Sequence, residues 1–169
     1  MATEVVIVGA ARTPVGSFAG AFGSVPAHEL GATAIGEALR RAPGLEPAEI
    51  DDVIMGCVMQ VGEQSTNIAR NAVLAAGWPE SVPATTIDRQ CGSSQQALHF
   101  GAQGVMSGAY DVVVAAGALV CAVARAGHAN DDRTMDSDSA TGNNGRGTKP
   151  SGAILATALS STNMDSSTS

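Results

Sequence analysis

The sequence of 169 residues has few aromatic side chains and little positive charge. Only 3% of the residues are aromatic although 44% are hydrophobic, so a buried core must consist mainly of Ala, Val, Ile and Leu. Nine Lys and Arg stand against 16 Asp and Glu, which gives a formal net charge of −7. Because binding to phosphates requires clustered basic residues, this balance argues against a nucleic-acid-binding protein.

Several motifs are also missing from the sequence. The cysteines at positions 57, 91 and 121 form no CxxC pair, so no zinc or thioredoxin motif is present, and we interpret them as reduced thiols. The only lysine, Lys149, precedes Pro150, which excludes a phosphate-binding P-loop. Gly9 is followed by Ala10, Ala11 and Arg12, so the second glycine of the dinucleotide-binding fingerprint GxGxxG is missing. No signal peptide and no apolar run of about 18 residues is present. We therefore predict a cytoplasmic protein without a membrane partner.

Short apolar runs alternate with helical patterns over residues 1–118. The runs at 4–9, 53–58, 83–88 and 111–117 predict strands, the first of them buried, and residues 10–26 predict a loop. Helices are predicted from His28 to Arg41, from a cap at Ser65 or Thr66, and from Gly92 to a stop at Gly108. This alternation predicts an α/β fold with a mostly parallel sheet flanked by helices.

The pattern fails after residue 118. Residues 119–169 contain no aromatic side chain and are dominated by Asp, Ser, Thr, Asn and Gly from residue 130 onwards. Such a composition buries too little apolar surface to offset the entropy lost on ordering. We predict two parts: a βα domain over 1–118 and an irregular tail over 119–169, with at most a weak helix at 153–159.

Cys91 is the candidate nucleophile. It lies in the segment DRQCGSS, residues 88–94, between the third predicted strand and the third predicted helix. Ligand sites of parallel sheets gather at the carboxyl ends of strands, and free N–H groups at a helix start stabilise a thiolate, which attacks carbonyl carbon. The alternative is an inert packed thiol.

The other cysteines and the histidines have weaker claims to a catalytic role. Cys57 falls within a predicted strand and is interpreted as core packing, and Cys121 lies where the pattern breaks. His99 lies on the predicted helix two turns beyond Cys91, which places it about 12 Å along the helix axis and too far away to be its base. His28 and His128 belong to no motif, and no metal site is predicted.

Five ordered segments resemble the thiolase family. They are AARTPVGSFAGAF at residues 10–22, PAHELGATAI, NIARNAVLAAG, DRQCGSSQQAL and GAYDVVVAAG. The fourth is similar to the active-site signature in which the cysteine, here Cys91, forms the acyl-enzyme. The resemblance extends over about residues 3–117 and indicates a thiolase-like N-terminal half.

The resemblance implies a fold, a reaction and partners. It implies an acyl-CoA C-acyltransferase of the acetyl-CoA C-acetyltransferase type, in which Cys91 carries the acyl group during acetyl-CoA condensation or 3-ketoacyl-CoA thiolysis. The substrate would be a CoA thioester, with no metal and no redox cofactor. The family implies a homo-oligomer, a dimer or a tetramer, with the third strand pairing across the dimer.

The sequence departs from the family after Gly117. Thiolases are more than twice as long, and their second half supplies a histidine that activates the cysteine, a second cysteine and oxyanion-hole groups. No residue from 119 to 169 matches those motifs. Two alternatives therefore stand beside the enzyme: a truncated or frame-shifted thiolase fragment without turnover, and a thiolase-like lipid-binding protein. Acyl-chain length and the direction of the reaction are left open.

Overall fold

The described residues form a sheet of five parallel strands. A computed structural model of the chain describes residues 4–17, 20–118 and 153–158. The strands are β1 (Val6–Arg12), β2 (Asp52–Cys57), β3 (Ala84–Ile87), β4 (Val112–Ala118) and β5 (Ala153–Ala158). They lie side by side in the order β1-β5-β4-β2-β3, and every pair is parallel. The predicted α/β class is confirmed.

Helices cover both faces of this sheet. They are α1 (Ala27–Arg40), α2 (Ile68–Ala75) and α3 (Ser93–Ser107), with short 3-10 turns at Pro47–Glu49 and Gly62–Gln64. Side chains alternate along a strand, so Val112 and Val114 pack in the core with α1 and α2, whereas Val113 and Ala115 pack with α3. The resulting three layers place the start of α3 directly against the sheet.

The centre of the sheet is β4. All seven of its residues are buried, as the uninterrupted apolar run predicted. On one side β4 pairs with β2, and Gly117 stands in register with Gly56. On the other side it pairs with β5. The carboxyl end of β4 therefore lies beside the carboxyl end of β2.

The prediction for β1 was wrong in two respects. The strand continues to Arg12, into the segment that the sequence predicted as loop, because its backbone pairs with β5 as far as Ala158. It is also not buried on both faces: among the described strands β1 lies at the edge of the sheet, and Val6 and Ile7 are 43% and 59% exposed. A short apolar run cannot distinguish an edge strand from a central one.

The cap of α2 differs from the predicted one. Asn67, rather than Ser65 or Thr66, precedes the helix, and its side-chain oxygen accepts a hydrogen bond from the backbone N–H of Arg70 at 3.1 Å. Thr66 has a left-handed backbone, with φ of 66°, so the chain turns there before the helix begins. The Asn67 amide also donates to the Ala84 carbonyl at 2.9 Å, which ties α2 to β3.

The weak helix predicted at 153–159 was wrong, because residues 153–158 form β5. The backbone of β5 pairs with β1 on one side and β4 on the other, and Ile154 is buried against the α3 face. Neighbouring strands decide the conformation of a short apolar run that is ambiguous by itself. The division at residue 118 stays a prediction; residues 119–152 and 159–169, which include Cys121, His128 and Lys149, lie outside the described residues.

Within the described ranges, no helix is both long enough and apolar enough to cross a membrane.

Candidate active site

Cys91 lies on the link between β3 and α3. The link begins after Ile87, and Gly92 is the N-cap of α3, whose first residue is Ser93. The side chain of Cys91 is exposed and forms no disulfide. The predicted strand-to-helix setting is confirmed, while a catalytic role for Cys91 stays a prediction.

Cys91 lines a cavity at the carboxyl edge of the sheet. The cavity has a volume of about 330 Å³. Its walls come from the ends of β2 and β4 and from the start of α3: Gly56, Val58, Met59, Gln90, Ser93, Ser94 and Ala118 accompany Cys91. The carboxyl ends of parallel strands are where α/β proteins bind ligands. The small and apolar side chains contributed by the strands suit an uncharged group beside the sulfur.

Two glycines allow α3 to begin close to the sheet. A Cβ on Gly56 would overlap the backbone of Ser93 and Ser94, and a Cβ on Gly117 would overlap the Ser94 side chain. The two glycines are paired in register on β2 and β4. The first turn of α3 therefore rests on bare backbone of both strands, which fixes its height above the sheet.

The link itself is closed by hydrogen bonds. The Asp88 carboxylate accepts from the Gln90 N–H at 2.8 Å, and the Arg89 carbonyl accepts from the Gly92 N–H at 3.0 Å. The hydroxyl of Ser93 accepts from the Arg89 N–H at 2.9 Å and donates to the Gln90 carbonyl at 2.7 Å. Cys91 thus follows a tight turn whose backbone groups are bonded locally.

A second cavity adjoins this turn and the first turns of α3. It has a volume of about 230 Å³ and is lined by Arg89, Gly92, Gln95, Gln96 and His99. The Arg89 guanidinium donates to the side-chain oxygen of the buried Gln96. His99 lines this cavity and not the one beside Cys91, which agrees with its exclusion as the base. In the described part of the chain, no histidine lines the cavity of Cys91.

Cys57 is a core thiol, as its strand position predicted. It is 1% exposed and packs in the core cluster on the α1 and α2 side of the sheet. Its thiol donates to the side-chain oxygen of Gln64 at 3.4 Å. Burial raises the pKa of this thiol, and the nearby negative charge of Asp88 adds to the rise. Cys57 is therefore held as a neutral thiol.

The sequence reasoning missed the side chains that hold the site together. Asp88 stands two residues before Gln90, which is the spacing of an Asx turn, and this signal was available. Gly56 interrupts a strand, which indicates a close approach of other backbone. The partner that approaches, Ser94, is distant in the chain and could not be inferred from that signal.

Metal ligands were not predicted, and the described residues hold no cluster of three or more His, Cys, Asp or Glu side chains arranged for a metal ion.

Comparison with known proteins extends the resemblance along the chain. The family described as thiolase, N-terminal domain, matches residues 5–145. The match therefore continues beyond residue 117, where the motif resemblance ended. Residues 119–145 belong to the matched region although they contain none of the five motifs.

Curated relatives and a solved structure give the same family. The chain is 53% identical to the steroid 3-ketoacyl-CoA thiolase FadA6 of Mycobacterium tuberculosis over 115 residues, which are 68% of this chain and 28% of the relative. It is 47% identical to a 3-ketoacyl-CoA thiolase of Saccharophagus degradans over 140 residues, covering 82% of this chain and 34% of the relative. The acetyl-CoA acetyltransferase of Bacillus anthracis superposes with a TM-score of 0.62 at 42% identity, over 69% of this chain and 29% of that structure.

The coverage is unequal on the two sides: most of this chain is matched, but it spans only about a third of the length of its relatives. The matched region contains β1 to β4, helices α1 to α3 and the Cys91 turn described above, whereas β5 lies beyond it. The chain belongs to the thiolase family, and its matched region is the thiolase N-terminal domain.

Proposed function

We propose that this protein is an acyl-CoA C-acyltransferase that carries the acyl group on Cys91. The observation that carries the proposal is the position of Cys91: an exposed thiol that lines a largely apolar cavity at the carboxyl edge of a parallel sheet. Apolar walls favour an acyl chain, whereas a phosphate or sugar ligand would need donors there. The substrate is a CoA thioester.

The first half-reaction would be thioester exchange. The sulfur of Cys91 attacks the carbonyl carbon of acyl-CoA, a bond forms between them, and the bond from that carbon to the CoA sulfur breaks. The thiol proton lost by Cys91 ends on the departing CoA thiol, so the products are acyl-Cys91 and free CoA. None of the described histidines lines the cavity, so we assign the relay of this proton to no described histidine.

Condensation and thiolysis differ in how the acyl-enzyme forms and how it is consumed. In condensation, the enolate of a second acetyl-CoA attacks the carbonyl carbon of acyl-Cys91, a carbon–carbon bond forms and the bond from that carbon to the Cys91 sulfur breaks; the proton lost by acetyl-CoA ends on the Cys91 thiol. In thiolysis, the acyl-enzyme forms differently: the Cys91 sulfur attacks the 3-keto carbon of a 3-ketoacyl-CoA, the bond between C2 and C3 breaks, and the departing enolate takes the thiol proton to become acetyl-CoA. Free CoA then removes the acyl group as acyl-CoA, and its thiol proton returns to Cys91. The relatives include proteins named for each activity. We assign this chain the acyl-cysteine intermediate common to both.

The test is formation of the acyl-enzyme. The full chain is incubated with acetyl-CoA and digested, and the peptides are examined by mass spectrometry. We expect one added acetyl group on the peptide with Cys91 and none on the peptide with Cys57, which is an internal control because it is a buried thiol. Cys91→Ala should abolish the adduct. A folded wild-type chain without the adduct would favour the alternative of a fragment without turnover.

We further propose that the protein assembles as a homo-oligomer, a dimer or a tetramer, with the edge of β3 pairing across the dimer. Within the described residues β3 has a strand neighbour, β2, on one side only, so its other edge offers unpaired backbone groups. Sedimentation equilibrium should give the mass of a dimer or a tetramer; a single monomer mass over the concentration range would contradict it. A cytoplasmic location stays a prediction from the sequence.

A further inference from the structure

Ser93 is a buried hydroxyl next to the candidate nucleophile. Only 3% of this residue is exposed, although serine usually lies at the surface. Its oxygen accepts from the Arg89 N–H at 2.9 Å and donates to the Gln90 carbonyl at 2.7 Å, and the Asp88 carboxylate lies 3.4 Å away. One hydroxyl therefore contacts all three residues that precede Cys91.

The turn that Ser93 closes has a backbone that needs such support. Gln90 has a φ of 48°, in the left-handed region that is unfavourable for a residue with a Cβ. The Asp88 carboxylate holds the Gln90 N–H, and the Gln90 carbonyl accepts from the Ser93 hydroxyl at 2.7 Å and from the Ser93 backbone N–H at 3.1 Å. Both polar groups of the strained residue are thus fixed immediately before Cys91.

We propose that Ser93 is a positioning residue for Cys91. Its hydroxyl, together with the Asp88 carboxylate, keeps Gln90 left-handed and so directs the Cys91 sulfur to the cavity at the carboxyl edge of the sheet. The hydroxyl donates its one proton and accepts one hydrogen bond within the turn, so in this role Ser93 acts through Cys91. The expected effect of the Ser93 hydroxyl on the acetylation rate rests on the proposed acyl transfer. Its effect on the conformation of the turn is independent of that function.

The first test removes the hydroxyl with Ser93→Ala. The rate of Cys91 acetylation by acetyl-CoA should fall by between about tenfold and a hundredfold, because a displacement of about 1 Å in a reacting group has effects of that size. Alkylation of the same exposed thiol by iodoacetamide demands less exact geometry, and its rate should change by less than about threefold. A change in the ratio of the two rates separates misplacement from general loss of structure.

A matched control is available on β3. The Thr86 hydroxyl also accepts one hydrogen bond, from the Ala69 N–H at 3.1 Å, and donates one, to the Asn67 side chain at 2.7 Å. Thr86→Val deletes these bonds at the contact with α2 rather than at the turn. It should lower the melting temperature about as much as Ser93→Ala but leave the acetylation rate within about twofold of wild type.

A second pair of variants examines Asp88. Asp88→Asn retains the side-chain oxygen that accepts from the Gln90 N–H, whereas Asp88→Ala removes it. Acetylation should stay within about threefold of wild type in Asp88→Asn and fall at least about tenfold in Asp88→Ala. Equal rates in these two variants would overturn the role of the turn.

Hydrogen exchange keeps the inference testable even if no acyl-enzyme forms. The N–H groups of Arg89, Gln90 and Gly92 are bonded within the turn, so peptides covering 88–92 should be protected in the wild type. Exchange there should accelerate in Ser93→Ala and not in Thr86→Val. Unchanged exchange in Ser93→Ala overturns the inference, as does unchanged acetylation where the wild type is acetylated. Absence of acetylation in the wild type rejects the proposed function alone.

Discussion

Two cysteines at the same edge of the sheet have opposite environments. Cys57 ends β2 and points into the core on the α1 and α2 side, where burial raises the pKa of its thiol. Cys91 stands on the link before α3, exposed and beside a cavity. Their difference follows from position in the fold, because the residue type is the same. Reactivity of the protein toward thiol reagents should accordingly be dominated by Cys91 over Cys57.

At the residue scale, Glu37 offers a prediction on pH. Hydrogen bonds from Arg40 and Arg41 lower the pKa of its carboxyl group from 4.5 to about 2. A carboxyl group with a lowered pKa in the folded state contributes stability that is present above pH 4.5 and is lost as the pH falls through about 2. In Glu37→Gln, the melting temperature should be slightly below wild type at neutral pH, and the difference should vanish at low pH.

The control for this prediction is Glu63→Gln. Glu63 is exposed and has no ion pair among the residues that the structure describes. The melting temperature of the Glu63→Gln variant should equal that of the wild type at each pH over the same range. The effect of Glu37→Gln should be small, since ion pairs at the surface are weakened by solvent. A difference that grows as the pH falls would contradict the assignment.

The position of Cys91 could be predicted from sequence, but its supports could not. A polar segment between an apolar run and a helical pattern is enough to place Cys91 at a strand-to-helix junction. The contact of Ser93 with the turn depends on a left-handed Gln90, which no residue type there signals. Asparagine or glycine would have indicated such a backbone.

At the scale of elements, the close packing of α3 against the sheet depends on Gly56 and Gly117. Gly56→Ala places a methyl group against the backbone of Ser93 and Ser94, which cannot rotate away as a side chain can. We expect a loss of about 1–3 kcal/mol in the free energy of unfolding, as overpacked positions show. Denaturant titration measures it, and the Cys91 acetylation rate should fall as α3 shifts.

A matched glycine variant is available in α1. Gly36 lies inside this helix, and a Cβ there would meet nothing within 4 Å. Gly36→Ala should therefore raise the free energy of unfolding by about 0.5–1 kcal/mol, through helix propensity. Replacing glycine by alanine should therefore lower the free energy of unfolding at Gly56 and raise it at Gly36. Equal effects at both would show that the contact of α3 with β2 is not as described.

The boundaries of most elements followed from composition, with exceptions that are informative. The stop of α3 at Gly108 was predicted, and Gly108 has the left-handed backbone that ends helices, with φ of 76°. The segment at 153–158 was mistaken for a helix because the strands that pair with it, β1 and β4, are distant in the chain. The sequence pattern within a segment does not show which distant strands will pair with it.

At the scale of the whole molecule, β5 connects β1 to the rest of the sheet. Among the described strands β1 pairs with β5 alone, and β5 pairs in turn with β4. A chain that ends at residue 152 would leave β1 without a partner among the described strands and remove Ile154 from the core. We expect a loss of at least about 2 kcal/mol from that side chain alone, and a less cooperative thermal transition.

A chain that ends at residue 158 is the control for this truncation. It retains β5 and should melt like the full chain, because the strand pairing of the described sheet is intact. Circular dichroism over a temperature ramp compares the three proteins. If the chains ending at 152 and 158 melt alike, β5 contributes nothing to the sheet.

The register pairing of Gly56 with Gly117 has a consequence for the order of folding. Cys91 lies between these two glycines in sequence. The bare backbone on which the first turn of α3 rests is nevertheless complete only after β4 has paired with β2. Contacts between distant segments form late, because the intervening chain must first be ordered. Under the proposed function, acetylation of Cys91 would therefore report completed assembly of the domain, and a refolding chain should regain its helical signal before Cys91 becomes acetylated by acetyl-CoA.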